Sequence, residues 1–170
     1  ARPRATGTLP VTIVDIDDKS LARLGQWPWP RTLLADLIEA LASHEPLAIG
    51  VDILMSEPDR LSPERLLVRA RGGDPVLAER LATLPANDAE LARAITNRGV
   101  VLGFVETPGA AGSAPPAPPV RLIERRAGTA PAPVATSRLH SLPGARANLG
   151  MLDDAAAGHG AISIGPADAV

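Results

Sequence analysis

The residues best suited to chemistry are Asp15, Asp17, Asp52, Arg31 and Trp29. Asp15 and Asp17 close the apolar run Val11-Thr-Ile-Val-Asp-Ile-Asp17 and, two positions apart, share one side of an extended chain. Asp52 takes the matching place in a second run, Ile49-Gly-Val-Asp-Ile-Leu-Met-Ser-Glu-Pro-Asp59. If these runs are neighbouring strands, several carboxylates converge at one edge of a sheet. Like charges that close do not all stay ionised cheaply: one pKa rises, or a cation neutralises the set. Arg31, which opens the intervening helix, is the nearest candidate in sequence. A divalent cation is the other, because hard cations prefer oxygen ligands. An arginine at a helix start opposes the helix dipole, so a salt bridge from Arg31 to Asp15 or Asp52 is expected. The helix N–H groups beside it alternatively suit an anionic ligand.

The same residues have plainer roles. Acids at strand ends commonly cap the next helix or close an Asx turn. Asp18 is expected to cap a helix, and Asp15 and Asp52 are equally suited to structural hydrogen bonding. Glu57 and Asp59 read as loop acids. Trp27 and Trp29 read as a packing lid more than a ligand platform. His44, His140 and His159 are far apart, lack metal-ligand spacing and are expected on the surface or in loops. Ser20 and Ser56 have no nearby histidine, so a hydrolase triad has no support.

The elements that must position these groups follow from periodicity. Residues 9–16 read as a strand buried on both faces. Residues 19–24 read as a short helix stopped by Gly25. Pro28 and Pro30 stiffen the approach to a main helix, where Leu33, Leu34, Leu37, Ile38 and Leu41 form one apolar stripe that Pro46 ends. Residues 47–54 read as the second strand. A strand-helix-strand connection of this length implies parallel pairing with a right-handed crossover, and open α/β sheets bind ligands at the carboxyl ends of strands.

Ser62-Pro63 and Asp74-Pro75 each predict an N-cap followed by proline, with helices over 63–71 and 75–84. Asn87 with Glu90 predicts a capped helix running to about residue 97. Strands are predicted over 100–105 and 161–164. The expected organisation is one α/β domain with a mostly parallel sheet and flanking helices. It comprises a core over 9–105, a Pro/Ala/Gly-rich mobile excursion over 106–136, and a return to the sheet over 137–170.

Composition narrows the function. The chain has 170 residues and a net charge of −2, with no basic block interleaved with aromatics, so nucleic acid is not expected as a partner. Trp27, Trp29 and Phe104 are its aromatics, so the core must be aliphatic. The absence of cysteine excludes disulfides and thiolate metal sites. No apolar run reaches the ~18 residues of a membrane span, and no signal-peptide pattern stands at Ala1. The abrupt ends suggest a piece excised from a larger protein.

Three segments in order, Val14-Asp-Ile-Asp-Asp-Lys-Ser20, Trp27-Pro-Trp-Pro-Arg31 and Ile49-Gly-Val-Asp-Ile-Leu-Met-Ser-Glu-Pro-Asp59, resemble the CHASE sensor domain of the second type. Weaker matches follow at Asp88-Ala-Glu-Leu-Ala92, Val100-Val-Leu-Gly103 and Gly158-His159 before Ala161-Ile-Ser163. The stretch Pro166-Ala-Asp-Ala-Val170 departs from the family's usual Asp-x-Asp-Gly pattern. The resemblance implies an extracytoplasmic input module of a bacterial membrane receptor. It would connect through membrane helices to a cytoplasmic adenylate or diguanylate cyclase, histidine kinase or Ser/Thr kinase. It carries over Asp15, Asp17, Trp29, Arg31 and Asp52 as ligand-binding candidates for a small-molecule or ionic ligand. It implies no catalytic residue and no cofactor beyond an optional divalent cation.

Two other readings compete. The apolar run before Asp15-Ile16-Asp17 also resembles the first motif of haloacid-dehalogenase-like phosphohydrolases. There one Asp is the nucleophile, the next but one is the acid/base, and Mg²⁺ neutralises the pocket. Lys19 replaces that motif's small residue, and no later lysine exists to hold a phosphoryl group. The third reading is an interaction domain. A homodimer is expected under either the first or the third.

Overall fold

The computed structural model describes residues 10–70, 74–107, 123–124, 132–133 and 144–162. The first helix, α1 (Asp18–Leu24), begins at an Asp17 whose side chain caps it and ends at Gly25, whose φ of 99° suits glycine. The cap is therefore Asp17, one residue before the expected Asp18. Helix α2 (Arg31–Ala42), with Pro30 at its N-cap, buries Leu34 and Ile38 of the predicted stripe, and Ala35 beside them. Strand β1 (Ile49–Val51) follows. Helices α3 (Pro63–Ala70) and α4 (Pro75–Ala82) stand where the Ser-Pro and Asp-Pro pairs predict them, and Asp74 caps α4 through Val76 N–H. Helix α5 (Asn87–Ile95) leads into β2 (Val100–Glu106). A two-residue antiparallel ladder joins β3 (Ile123–Glu124) to β4 (Ala132–Pro133). Strand β5 (Ala145–Arg146), helix α6 (Gly150–Ala155) and strand β6 (Gly158–Ala161) complete the set.

Strand β2 organises the sheet. It pairs in parallel with β1 (Ile49 opposite Val100) and with β6 (Leu102 opposite His159), and antiparallel with β5 (Val105 opposite Arg146). The fold is thus α/β with a mostly parallel sheet and flanking helices. The last strand lies three residues earlier than its predicted start. Helices α2 and α5 pack on each other, and α6 packs on α5. Their shared core is Trp29, Leu34, Ile38, Ile49, Met55, Leu91, Ile95, Val100, Leu102 and Leu152, almost wholly aliphatic as the composition required.

The expected first strand is not present: residues 11–17 form no ladder. Val11 is 71% exposed and Ile13 is 88% exposed. A β-branched run fits a pleated, half-buried surface when a ladder supplies one, and none does here. Ile16 packs against the core, and at Asp17 the chain turns into α1. The start is therefore helix-strand rather than strand-helix-strand. Most of the predicted 106–136 excursion lies outside the described residues.

Candidate functional site

Helix α2 begins with an electrostatic problem: Arg31 places a cation at the N-terminus, and Pro30 has no side-chain acceptor to cap it. The chain solves this from a distance. Asp59 Oδ2 accepts the Arg31 backbone N–H at 2.7 Å, acting as the helix cap. Asp88, in the first turn of α5, accepts Arg31 Nε at 3.3 Å. Arg31 Nη2 donates to the Glu57 carbonyl at 3.2 Å. Asp88 Oδ2 in turn accepts Asp59 N–H at 2.9 Å, and Asn87 Nδ2 donates to Asp59 Oδ2 at 2.8 Å. The side chains of Arg31 and Asp88 are 11% and 5% exposed, so this latch sits largely out of water. An acidic partner for Arg31 exists, but it is Asp88, not the expected Asp15 or Asp52.

Asp59 is buried rather than an ordinary loop acid. Burial pushes its carboxyl pKa up. The hydrogen bonds from Arg31 N–H, Asn87 and Leu61 N–H, together with the Arg31 charge, outweigh that and hold it below the usual carboxylate range. Asn87, expected as the cap of α5, spends its side chain on Asp59, and its own N–H goes to Ser62 Oγ at 2.9 Å.

The latch forms one wall of a cleft of about 300 Å³ at the carboxyl end of β1. Trp27, Pro28 and Trp29 form a second wall, with Ile53, Leu54, Ser56, Glu57, Pro58 and Arg60 completing the lining. The Trp27–Pro28 peptide is cis. The two indoles meet edge-on, with ring centroids 6.1 Å apart. Trp29 is a core residue whose Nε1 donates to the Gly25 carbonyl at 2.8 Å, whereas Trp27 is 41% exposed. The lid expected of both tryptophans is thus divided: Trp29 packs, and Trp27 presents surface.

A larger depression, of about 550 Å³, lies at the amino end of β1, beside Leu47 and Gly99. Its charges are already committed, since Glu39 pairs with both Arg93 and Arg98. The cleft at the carboxyl end differs: Glu57 and Arg60 line it, and neither side chain has an ion pair or hydrogen bond among the described residues.

Of the sequence-derived candidates, Trp29 and Arg31 border the cleft. Asp15, Asp17 and Asp52 do not, and all three are exposed. Asp17 Oδ1 accepts Ser20 N–H at 2.9 Å and Ser20 Oγ–H at 2.8 Å. Those two bonds hold its carboxyl below the usual range. Among the described residues no group of three or more His, Cys, Asp or Glu side chains is placed to hold a metal ion. The converging strand-end carboxylates therefore fail with the strand that was to carry them.

A second polar cluster, not anticipated from the sequence, stands behind the cleft. Buried Asn148 accepts Met55 N–H at 2.8 Å and donates to the Gly103 carbonyl and to Asp153 Oδ1, both at 3.0 Å. His159 Nε2 lies 3.1 Å from the same Asp153 oxygen without forming a hydrogen bond to it. Its side chain is largely buried on β6, contrary to the surface or loop position expected of it. Asn148 thus pins the chain at Met55, next to Ser56, while Asp88 pins it four residues on, at Asp59.

These features define a helix-flanked α/β domain with a surface cleft at a strand's carboxyl end, the usual ligand position in open α/β sheets. The CHASE2 domain family matches residues 1–169, and the chain belongs to that family. CHASE2 domains are extracellular sensor modules of membrane receptors, so the chain is a sensory domain. No curated protein and no solved structure matches it. No helix among the described residues is long and apolar enough to cross a membrane.

Proposed function

We propose that this domain senses a small ligand in the cleft beside Trp27, as the input module of a bacterial transmembrane receptor. Occupancy is passed through the receptor's membrane helices to a cytoplasmic cyclase or kinase, and the receptor works as a homodimer. The domain itself carries out no catalysis. The observation that carries this reading is the cleft: an exposed indole and, at the carboxyl end of β1, two charges with no partner among the described residues. The cleft wall is held to α2 and α5 through Asp59 and Asp88, and towards α6 through Asn148. A ligand that binds one arrangement of that wall better than another biases the position of those helices, which is the energetic requirement of a sensor.

The test is a thermal-shift screen over divalent ions, carboxylic acids, amino acids, sugars, nucleotides and phosphate. At 100 times its Kd a ligand adds ~2.7 kcal/mol of stability, which raises the midpoint of a domain this size by roughly 5 to 10 °C. The expected result is a shift in the wild type that Trp27→Ala abolishes. A ligand whose shift survives both Trp27→Ala and Arg60→Ala refutes the cleft as its site.

A further inference from the structure

We propose that the cleft takes a zwitterion, specifically an α-amino acid with an apolar side chain; this rests on the reading of the cleft as the ligand site. The argument is an inventory of its charges. Asp59 is saturated by Arg31 N–H, Asn87 Nδ2 and Leu61 N–H. Arg31 is committed to Asp88 and to the Glu57 carbonyl. What remains is one carboxylate, Glu57, and one guanidinium, Arg60, both exposed and both on the same loop. They do not pair with each other, and neither has another partner among the described residues.

A simple anion would satisfy Arg60 and be repelled by Glu57, and a simple amine the reverse. One molecule that carries both charges satisfies both, leaves the cleft neutral and forms two charge-assisted hydrogen-bonded pairs. The loop presenting them is not free to drift. Arg31 Nη2 holds it at the Glu57 carbonyl, and Asp88 holds it at Asp59 N–H, directly before Arg60. Trp27, Pro28, Ile53 and Pro58 supply an apolar wall beside the two charges, suited to an aliphatic or aromatic side chain. A volume of about 300 Å³ lies at the small end of ligand sites and suits a single amino acid better than a nucleotide or an oligosaccharide.

The protein carries its own reporter. Trp27 and Trp29 are its two tryptophans, it has no tyrosine, and both indoles border the cleft. Tryptophan emission is titrated with L-leucine, with isocaproate (leucine without its amine) and with isoamylamine (leucine without its carboxylate). The expected result is a saturable change with leucine, and binding at least about ten-fold weaker for each analogue, the loss appropriate to one charged hydrogen bond. Arg60→Gln should weaken leucine to the level of isoamylamine, and Glu57→Gln to that of isocaproate. Circular dichroism confirms that both variants fold. Equal affinity of leucine and its analogues, or wild-type affinity for leucine in both variants, overturns the proposal. If leucine gives no change while a sugar or simple anion does, the zwitterion is wrong and the cleft stands. If a compound stabilises the protein without altering emission and leucine does neither, the cleft itself is not the site.

Discussion

Asp88→Ala should be the most damaging single change at the cleft. The carboxylate accepts from Arg31 Nε at 3.3 Å and from Asp59 N–H at 2.9 Å, and the two side chains of the ion pair are 11% and 5% exposed. Truncation leaves a nearly buried guanidinium without its counter-charge and a buried backbone N–H without an acceptor. Breaking such a pair by removing one partner costs ~3–5 kcal/mol. Arg31 keeps its bond to the Glu57 carbonyl at 3.2 Å, so the lower part of that range applies, about 3–4 kcal/mol. For a domain of this length that lowers Tm by roughly 5 to 15 °C. Asp88→Asn keeps an acceptor for Asp59 N–H and loses only the charge, so it should cost about half as much. Urea unfolding of the three proteins reads the differences directly, with unchanged m-values confirming a common transition. A loss below ~0.5 kcal/mol for Asp88→Ala, the range of ordinary surface substitutions, would refute the latch.

Three further outcomes are expected. The Asp59 pKa is depressed on folding, so its contribution is complete above the unfolded value of ~3.9 and is lost as pH falls through the folded value. The stability gap between wild type and Asp59→Asn should therefore be constant near neutrality and narrow below about pH 4; a gap unchanged at low pH would contradict it. In Gly103→Ala the new Cβ would stand 2.5 Å from Ile162 Cγ2 and 3.1 Å from the Val51 carbonyl oxygen. The Ile162 side chain can shift but the β1 backbone cannot easily, so a loss of about 1–3 kcal/mol is expected in urea unfolding. Asn148→Ala leaves Met55 N–H and the Gly103 carbonyl without their partner and should cost about 2–4 kcal/mol; hydrogen exchange at Met55 N–H should rise with it.

What the sequence revealed was mostly what local pattern controls. The stripe of α2, the Asp74-Pro75 cap of α4 and the strand at β2 depend on neighbours a few residues away, and all three stand where predicted. The residues 11–16 carry as strong a strand pattern as β2, yet a ladder needs a second chain segment, and pattern alone does not supply one. The cleft followed the same division. Arg31 at a helix start demanded an acid, and that demand was legible. Which acid answered it was not, because Asp88 is 57 residues away and reaches Arg31 only through the packing of α5 on α2. Asn148 and His159 carried no local signal at all, since their partners lie on β2, α6 and the loop after β1. Asp17 shows the finest limit: two adjacent acids both suit a cap, and helix register chose the first.

Hydrogen exchange of the whole chain, with and without a ligand that raises its thermal midpoint, tests the central claim most directly. The account predicts slowed exchange over residues 53–61 and in the first turn of α2, the backbone that frames the cleft. Protection confined to the depression beside Leu47 and Gly99, or to residues 10–17, with none over 53–61, would contradict it.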